Sequence, residues 1–357
     1  MSGTSLDGID ASFVFTDGNL LKRTEINSIT PYSGETLRLI KKIIENPKKY
    51  LQNKELINLL SQKITLEHGL ASIRLIKKHK VRPKLVGFHG QTIFHDPYNK
   101  RSIQLGDGFL LSKILKTDLV FQFRKNDLLN GGQGAPLAPI YHKTLLDQLK
   151  IQLPAVVINI GGITNITYYD GKEIIGFDSG PGNNLMDFFM QNKFNKPYDN
   201  NGQLSSKGSP NLNLIKKFCD NKYFNKKPPK SLDRKELIEN HYYKEISLLD
   251  PKDSMATLCS LTVETIKNSF KHLPKEIKTS IVVGGGQNNN FLMNCIKKTL
   301  PNKVYSCNQL KLPGDFIESE LIAFLAARKL YNLPSTFLST TGASRDTVNG
   351  EIIYFKS

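Results

Sequence analysis

Apolar and polar residues alternate near the start of the chain and then give way to helical spacing. Residues 9–16 predict a half-buried strand, since their apolar side carries Ile9, Ala11, Phe13 and Phe15. Helical patterns follow from about residue 35 and from about 55 to 80, where Pro83 ends the longer helix. Short strands are predicted at residues 85–88, 102–105 and 119–123. Helices are predicted after the turn at 106–108 and from the loop at 130–139 to about residue 150.

The second half of the chain repeats this organisation. Residues 155–160 are apolar, break at Gly161 and Gly162 and resume at 163–169. Helices are predicted near residues 183–193, 210–220, 254–270, 287–299 and 315–331, with strands at 281–283 and 351–355. This alternation indicates an α/β protein. Since a small glycine turn opens each half, we expect two lobes, residues 1–150 and 151–357, with the final strand packing on either.

The charge of the chain raises the question of a nucleic-acid partner. The net charge is +17, from 49 lysines and arginines against 32 acidic residues. Only nine of the basic residues are arginines, and the lysines are spread through predicted helices. Because base recognition favours arginine forks and stacking needs interleaved aromatic residues, we expect solvated helix faces and no nucleic acid.

The sequence also limits the compartment. No apolar run approaches the roughly 18 residues of a membrane span, and the first residues lack the regions of a secretory signal. We therefore expect a cytoplasmic protein with no membrane partner. The four cysteines lie far apart without a CxxC pair, which favours reduced, buried thiols over zinc ligands or disulfides.

Three glycine-rich turns are candidate phosphate sites. Two stand at matching places in the halves, at residues 3–10 (GTSLDGID) and 159–165 (NIGGITN), and the third is GGG at 284–286. Glycines let a backbone approach a phosphate, while N–H groups and hydroxyls donate to its oxygens. Each turn alone is also an ordinary connection, and the matching pair favours a phosphate clamp. No GxxxxGK[ST] motif is present, which excludes a P-loop.

An aspartate follows a predicted strand in the segment FDSGPGN, residues 177–183. The Gly-Pro-Gly sequence turns the chain after Asp178, and Asn183 begins a helix. A carboxylate held at the end of a strand can act as a general base. A capping or turn aspartate is the alternative.

Polar side chains elsewhere are candidate substrate ligands. His89, Gln91 and Thr92 follow a predicted strand; the two histidines of that segment lack a third ligand at useful spacing, so substrate hydrogen bonds are favoured over a metal. Arg124 precedes a long glycine loop, where its fork can bind a carboxylate or phosphate, or form a surface ion pair. Glu318 opens the last helix, a position that the helix dipole favours in any case.

Ten segments resemble, in order, the anhydro-N-acetylmuramic acid kinase family. They are GTSLDGID, GFHGQTIFH, QLGDG, FR with D and GGQGAPLAP, NIGGITN, FDSGPGN, PPKS, GGGQNN, DFIES and TTGA. The resemblance covers nearly the whole chain. It implies a two-lobed actin-like ATPase fold, with a duplicated ribonuclease-H-like core and an active-site cleft between the lobes.

The resemblance also implies a reaction. ATP phosphorylates O6 of 1,6-anhydro-N-acetylmuramic acid while water opens the anhydro bridge at C1, which gives N-acetylmuramic acid 6-phosphate in murein recycling. Asp178 matches the general base that deprotonates the water. The partner is thus a small molecule, the cofactors are ATP and Mg²⁺, and the resemblance suggests a homodimer.

The resemblance implies further roles for residues at matching positions of these segments. The first phosphate loop comprises Gly3, Thr4, Ser5, Leu6, Asp7, Gly8, Ile9 and Asp10, with Asp7 and Asp10 holding Mg²⁺ through water. The second loop includes Asn159, Gly161 and Gly162, and the nucleoside lies by Gly284, Gly285, Gly286 and Asn289. The sugar lies near Thr92, Arg124 and Glu318, and Arg124 meets its lactyl carboxylate.

The sequence leaves open where the chain starts and two alternative functions. The family carries a strand before the first phosphate loop, and the loop here begins at residue 3, so we expect the true start to lie upstream of Met1. Another kinase of the superfamily, without bridge cleavage, is one alternative function. A non-enzymatic actin-like ATP-binding protein is the other.

Overall fold

The protein mixes strands and helices throughout. The computed structural model describes residues 1–3, 6, 8–97, 99–232, 237, 241–312 and 314–356. Its strands are β1 (Ile9–Thr16), β2 (Leu21–Thr30), β3 (Leu85–Gly87), β4 (Gln91–Asp96), β5 (Arg101–Leu105), β6 (Asp118–Phe121), β7 (Ala155–Ile160), β8 (Ile163–Tyr169), β9 (Ile174–Pro181), β10 (Thr279–Val283), β11 (Lys303–Ser306) and β12 (Glu351–Ile353). The predicted α/β class is confirmed.

The helices follow most of the predicted segments. They are α1 (Gly34–Glu45), α2 (Pro47–Tyr50), α3 (Lys54–His79), α4 (Gly108–Leu115), α5 (Lys125–Leu129), α6 (Pro139–Leu149), α7 (Asn184–Phe194), α8 (Leu212–Cys219), α9 (Lys222–Asn225), α10 (His241–Ser247), α11 (Pro251–Ser269), α12 (Asn290–Thr299), α13 (Ile317–Leu330) and α14 (Leu338–Thr341). Within the described residues, no helix is both long enough and apolar enough to cross a membrane. All four cysteines are free thiols.

The chain forms two compact units. Unit 1 comprises Met1–Thr144 and Phe316–Ser357, and unit 2 comprises Leu145–Asp315. The expected lobes were residues 1–150 and 151–357, with the final strand packing on either, whereas the compact units assign Phe316–Ser357 to unit 1. The reason is that α13 packs on β1 and β3 through its buried apolar side chains, and β12 pairs antiparallel with β6. The end of the chain therefore belongs to unit 1.

Unit 2 is built on a five-stranded sheet in the order β11-β10-β7-β8-β9. Strands β7, β10 and β11 run parallel, while β7, β8 and β9 form two antiparallel hairpins. Every residue of β10 and all but one of β7 are buried, which explains their nearly continuous apolar sequences. The core of this unit is lined by Val156, Ile158, Ile166, Phe177 and the apolar side of α11.

Unit 1 combines smaller sheets with its own core. The β1–β2 and β4–β5 hairpins stand beside a sheet in the order β12-β6-β3. Helices α1 and α3 cover β1 with the buried side chains of Ile40, Ile43, Leu60 and Ile64, which surround Ile9. Strands β2 and β4 and helix α5 were not predicted.

Strand β1 departs from simple alternation at its far end. Ile9 is 1% exposed, as the pattern requires, but Phe15 is 56% exposed. Ser12 pairs with Asn27 but Val14 pairs with Arg23, so β2 carries two more residues than β1 across this step and the ladder is interrupted there. The predicted inward position of Phe15 is therefore wrong.

A buried ion pair joins three elements of unit 1. The Arg23 Nε of β2 donates to Glu320 Oε2 of α13 at 2.8 Å, and the Tyr141 hydroxyl of α6 donates to the same oxygen at 2.6 Å. Glu320 is only 1% exposed. Burial raises the pKa of Glu320, and the Arg23 charge and the two hydrogen bonds oppose that shift. The carboxylate therefore depends on Arg23 to stay charged in the interior.

Replacing Arg23 by methionine tests this dependence. We expect Arg23→Met to lower the free energy of unfolding by about 3 kcal/mol at pH 8, because Glu320 then becomes an unpaired buried charge. The loss should shrink toward pH 5, since a carboxyl whose pKa is raised in the folded state adds stability as it takes up a proton. Urea unfolding at both pH values measures the effect.

The exposed pair between Lys63 and Glu35 supplies the control. Lys63→Met should change the free energy of unfolding by less than about 0.5 kcal/mol, since solvent screens that pair. An Arg23→Met protein as stable as the wild type at pH 8 would contradict this account of the cluster.

Candidate active site

Three polar residues form a row across the sheet of unit 2. Asn159 of β7 lies opposite Asn165 of β8, and Asn165 lies opposite Asp178 of β9. Residues directly opposite on paired strands point to the same face of a sheet, so the three side chains lie side by side. All three are half-buried. The neighbouring row, formed by Ile158, Ile166 and Phe177, points the other way into the core.

The strand that carries Asp178 is longer than predicted. Asp178 was expected at the end of a strand, but β9 continues to Pro181. Asn165 pairs with Asp178 and Thr164 pairs with Gly180, so Ser179 is the additional residue of a β-bulge. The buried Ser179 hydroxyl donates to the Thr164 carbonyl at 3.2 Å, which fixes the bulge. Bulges commonly redirect side chains beside active sites.

Residues distant in sequence hold Asp178 in place. Its backbone N–H donates to the Lys230 carbonyl at 3.0 Å, and its backbone carbonyl accepts the Tyr223 hydroxyl at 2.7 Å. The Leu232 N–H donates to the carboxylate oxygen Oδ2 at 2.9 Å. Asp178 is thus oriented by hydrogen bonds on its backbone and on its side chain. These three partners were not predicted from the sequence, although PPKS, which contains Lys230, was among the matching segments.

The glycine turn after β7 is bonded to the turn after β9. The Asn183 N–H donates to the Gly161 carbonyl at 2.8 Å, and the Gly182 N–H donates to the Gly162 carbonyl at 3.0 Å. A Cβ atom on Gly182 would stand 2.2 Å from the Gly161 carbonyl oxygen. Only glycine therefore lets the two turns approach, and the predicted residues Gly161 and Gly162 lie against the segment that follows Asp178.

The third glycine turn lies against the same part of unit 2. Gly284 has a φ of 79° and a ψ of 179°, a conformation available essentially to glycine alone. Its Cβ position would stand 2.4 Å from the Asn159 side-chain oxygen. Gly285 and Gly286 begin the short 3₁₀ turn that follows, and Asn289 caps α12 by accepting the Leu292 N–H at 3.1 Å. The structure thus brings Gly284 and Gly286 against the end of β7, at Asn159 and Ile160.

A second cluster lies in unit 1 around Arg124. The Arg124 Nε donates to His89 Nε2 at 3.2 Å, and its Nη1 donates to the Gly134 carbonyl at 2.7 Å. Burial and the Arg124 charge lower the pKa of His89 to about 3. A neutral His89 that accepts at Nε2 carries its proton on Nδ1, which donates to the Gly90 carbonyl at 3.0 Å. Arg124 is therefore aimed by a neutral histidine and a loop carbonyl.

A buried aspartate anchors the loop that supplies this carbonyl. Asp127 Oδ2 accepts the Gly134 N–H at 2.7 Å. Its other oxygen accepts the hydroxyl groups of Thr341, at 2.7 Å, and of Thr336. The matching segment TTGA near the end of the chain thereby holds the glycine loop beside Arg124.

The other predicted substrate residues of unit 1 have unequal exposure. Gln91 is fully buried and donates from Nε2 to the Gly3 carbonyl at 3.1 Å, so it supports the first glycine segment. Thr92 is half-buried and accepts a hydrogen bond from Gln104 at 3.3 Å. Glu318 is exposed in the first turn of α13.

Part of the first phosphate loop lies outside the described residues, namely Thr4, Ser5 and Asp7. Of the others, Gly8 and Ile9 are buried against β2, and Leu6 packs on the core of unit 1. Asp10 is half-buried in β1, two residues before Ser12. The Ser12 hydroxyl lies 2.6 Å from that of Ser319, which places the start of α13 beside this strand.

The described donors fit a magnesium ion held largely by water. Mg²⁺ usually takes one or two protein carboxylates and completes its shell with water and substrate phosphates. Asp10 offers such a carboxylate at the end of the glycine loop. Among the described residues, no group of three histidine, cysteine or acidic side chains could hold a metal ion.

The comparisons with known proteins identify the family. The family model described as anhydro-N-acetylmuramic acid kinase matches residues 1–355. An anhydro-N-acetylmuramic acid kinase from Pelagibacter ubique is 38% identical over 365 residues, which cover 99% of this chain and 96% of that protein. One from Rhodopseudomonas palustris strain BisB18 is 35% identical over 360 residues, covering 99% and 98%. The chain belongs to the anhydro-N-acetylmuramic acid kinase family.

Two solved structures are more distantly similar. An activator of 2-hydroxyisocaproyl-CoA dehydratase from Clostridium difficile, with bound ADPNP, is 10% identical, covers 74% of this chain and 82% of its own, and has a TM-score of 0.38. The ethanolamine utilization protein EutJ from Carboxydothermus hydrogenoformans is 12% identical, covers 50% of each chain and has a TM-score of 0.29. Neither score carries an argument about this protein.

The contact between the glycine turns of unit 2 gives a test of the site. We expect Gly182→Ala to weaken ATP binding at least tenfold, because the added methyl group pushes the 161–162 turn away from its hydrogen bonds. Isothermal titration with ATP measures the binding.

Gly34→Ala is the matched control, since no atom lies within 4 Å of the added Cβ. It should bind ATP like the wild type. Equal ATP affinity in Gly182→Ala and the wild type would refute a role for this turn in nucleotide binding.

Proposed function

We propose that this protein is an ATP-dependent kinase that converts 1,6-anhydro-N-acetylmuramic acid and water into N-acetylmuramic acid 6-phosphate, in the recycling of murein. Membership of the family is the main support. The observation that carries the chemistry is the fixed carboxylate of Asp178, which stands in one row with Asn159 beside glycine turns.

The proposed reaction joins two bond exchanges. The water oxygen bonds to C1 as the C1–O6 bond breaks, and O6 bonds to the γ-phosphorus as the bond to the leaving ADP oxygen breaks. Asp178 accepts the proton of the attacking water. Because O6 takes the phosphoryl group while it leaves C1, each exchange removes the charge that the other creates.

Asp178 is well positioned to act as the general base. Such a base must be held within hydrogen-bond reach of the proton that it takes, and positioned proton transfer contributes roughly 10²- to 10⁴-fold to a rate. The Leu232 N–H fixes one carboxylate oxygen, and the bulge at Ser179 sets the direction of the side chain. These contacts reduce the reorganisation needed at the moment of reaction.

The glycine turns of unit 2 suit a nucleotide. Gly162 and Gly285 are exposed and Gly161 is half-buried, so a phosphate can approach the main chain of these turns. We assign the nucleoside to the side of Gly284, Gly286 and Asn289. Asp10, together with Asp7, would hold Mg²⁺ through water, and the ion when bound would neutralise charge on the phosphates.

The cluster of unit 1 suits the sugar. Arg124 is a planar donor held by His89 and Gly134, which prepares it for the lactyl carboxylate of the substrate. Thr92 and Glu318 complete the proposed sugar contacts, and Gln91 supports the first glycine segment through Gly3. We extend the proposal to a homodimer in the cytoplasm, where ATP is available.

Substitution of the base tests the proposal. The wild type should convert the anhydro sugar only with ATP, and mass spectrometry should show the 6-phosphate with the bridge opened. We expect Asp178→Asn to lower kcat by about 10²- to 10⁴-fold, because the amide keeps the Leu232 hydrogen bond but cannot take a proton. ATP affinity should stay within about threefold by titration calorimetry.

The exposed Asp220 of unit 2 provides the control, and Asp220→Asn should turn over at the wild-type rate. Near-normal turnover by Asp178→Asn would reject the base assignment. A phosphorylated sugar with the anhydro bridge intact would show a kinase without ring opening.

A further inference from the structure

A lysine is buried beside the proposed base. Lys230 is only 2% exposed. Its ammonium group donates to the Tyr223 carbonyl at 3.2 Å and to the Phe224 carbonyl at 3.4 Å. The same ammonium lies 4.8 Å from the ring centre of Tyr223 and 5.7 Å from that of Phe177. A buried cation is costly, so its retention calls for a reason beyond packing.

Two of the residues that surround this ammonium are linked directly to Asp178. Phe177 precedes Asp178 in β9, and Tyr223 donates its hydroxyl to the Asp178 carbonyl at 2.7 Å. The Lys230 carbonyl accepts the Asp178 N–H at 3.0 Å, and two residues later the Leu232 N–H reaches the carboxylate. The ammonium therefore ties together the segments that orient the carboxylate.

The pKa of Lys230 lies close to neutral pH. Burial, then the charges of Lys271 and Lys226, lower the pKa of Lys230 to about 8, and Asp178 opposes that shift. His272 also faces the group, since it bonds to the Phe224 carbonyl at 2.9 Å. Lys230 is therefore a cation at neutral pH and loses its charge as the pH rises through about 8.

We propose that Lys230 is a positioning residue for Asp178: its ammonium clamps the Tyr223–Phe224 backbone, and its charge favours the ionised carboxylate. This inference rests on the proposed function, because it concerns the same base. It adds a cation that belongs neither to the phosphate loops nor to the sugar contacts.

The first test replaces the ammonium by a neutral group of similar length. We expect Lys230→Met to lower kcat at least tenfold while KM for the sugar and for ATP changes by less than about threefold. The acidic limb of the pH–rate profile should move to higher pH by about one unit, because a nearby cation favours a charged carboxylate. Lys227→Met, which removes an exposed charge from the same segment, should leave all these values unchanged.

A second variant separates charge from packing. The wild-type rate should fall above pH 8 as Lys230 loses its proton. Lys230→Arg keeps a cation at that pH, so it should restore part of kcat and abolish the basic decline. A decline that persists in Lys230→Arg would overturn the proposal. So would a Lys230→Met protein with lower thermal stability, a normal kcat per folded molecule and an unmoved acidic limb.

A readout independent of turnover separates this inference from the proposed function. The ¹³C signal of the Asp178 carboxyl, assigned with Asp178→Asn, should titrate at higher pH in Lys230→Met than in the wild type. If the wild type does not use the anhydro sugar but this shift is present, the proposed function fails and the positioning role stands. If the sugar is turned over but the signal titrates equally in both proteins, the positioning role fails.

Discussion

The register of β7, β8 and β9 is the constraint on which the site depends. One row across these strands places Ile158, Ile166 and Phe177 in the core, and the adjacent row places Asn159, Asn165 and Asp178 on the opposite face. A slip of one residue would exchange the two rows and bury the carboxylate among apolar side chains. The hydrophobic core of unit 2 therefore fixes which residues this face presents, since a one-residue shift would expose the apolar row.

The proposed functional groups in both units are oriented by the same kind of contact. Asp178 is held by main-chain groups from residues far along the chain, and Arg124 is held by a neutral histidine and by the carbonyl of Gly134. A buried side chain supports the contacts of each group, namely Lys230 for Asp178 in unit 2 and Asp127 for Arg124 in unit 1. Such second layers of contacts keep a reacting group within a narrow range of positions.

The sequence identified most elements because their apolar periodicity is strong. The β7–β8 hairpin, the buried strand β10 and the long helix α3 follow their patterns closely. Strand β2 was missed because only Leu21 among its residues is buried, so no alternation marks it. Phe15 lies beyond an irregularity in the β1–β2 pairing, which depends on the partner strand and leaves no local signal.

The supporting contacts of the site were beyond prediction for a similar reason. Tyr223 and Leu232 reach Asp178 across 45 and 54 positions of the chain, and no spacing rule connects residues so far apart. The return of α13 and β12 to unit 1 is likewise a matter of tertiary packing. The glycine turns and Asp178 itself could be predicted from the sequence, because their residue types are unusual at those places.

The central claim is that water adds to C1 while O6 becomes the phosphorylated oxygen. Turnover in ¹⁸O-enriched water, quenched before the anomeric oxygen exchanges with solvent, tests it directly. The account predicts one ¹⁸O atom on C1 of the product and none in the phosphate group. Label in the phosphate group, or an unlabelled product, would contradict it.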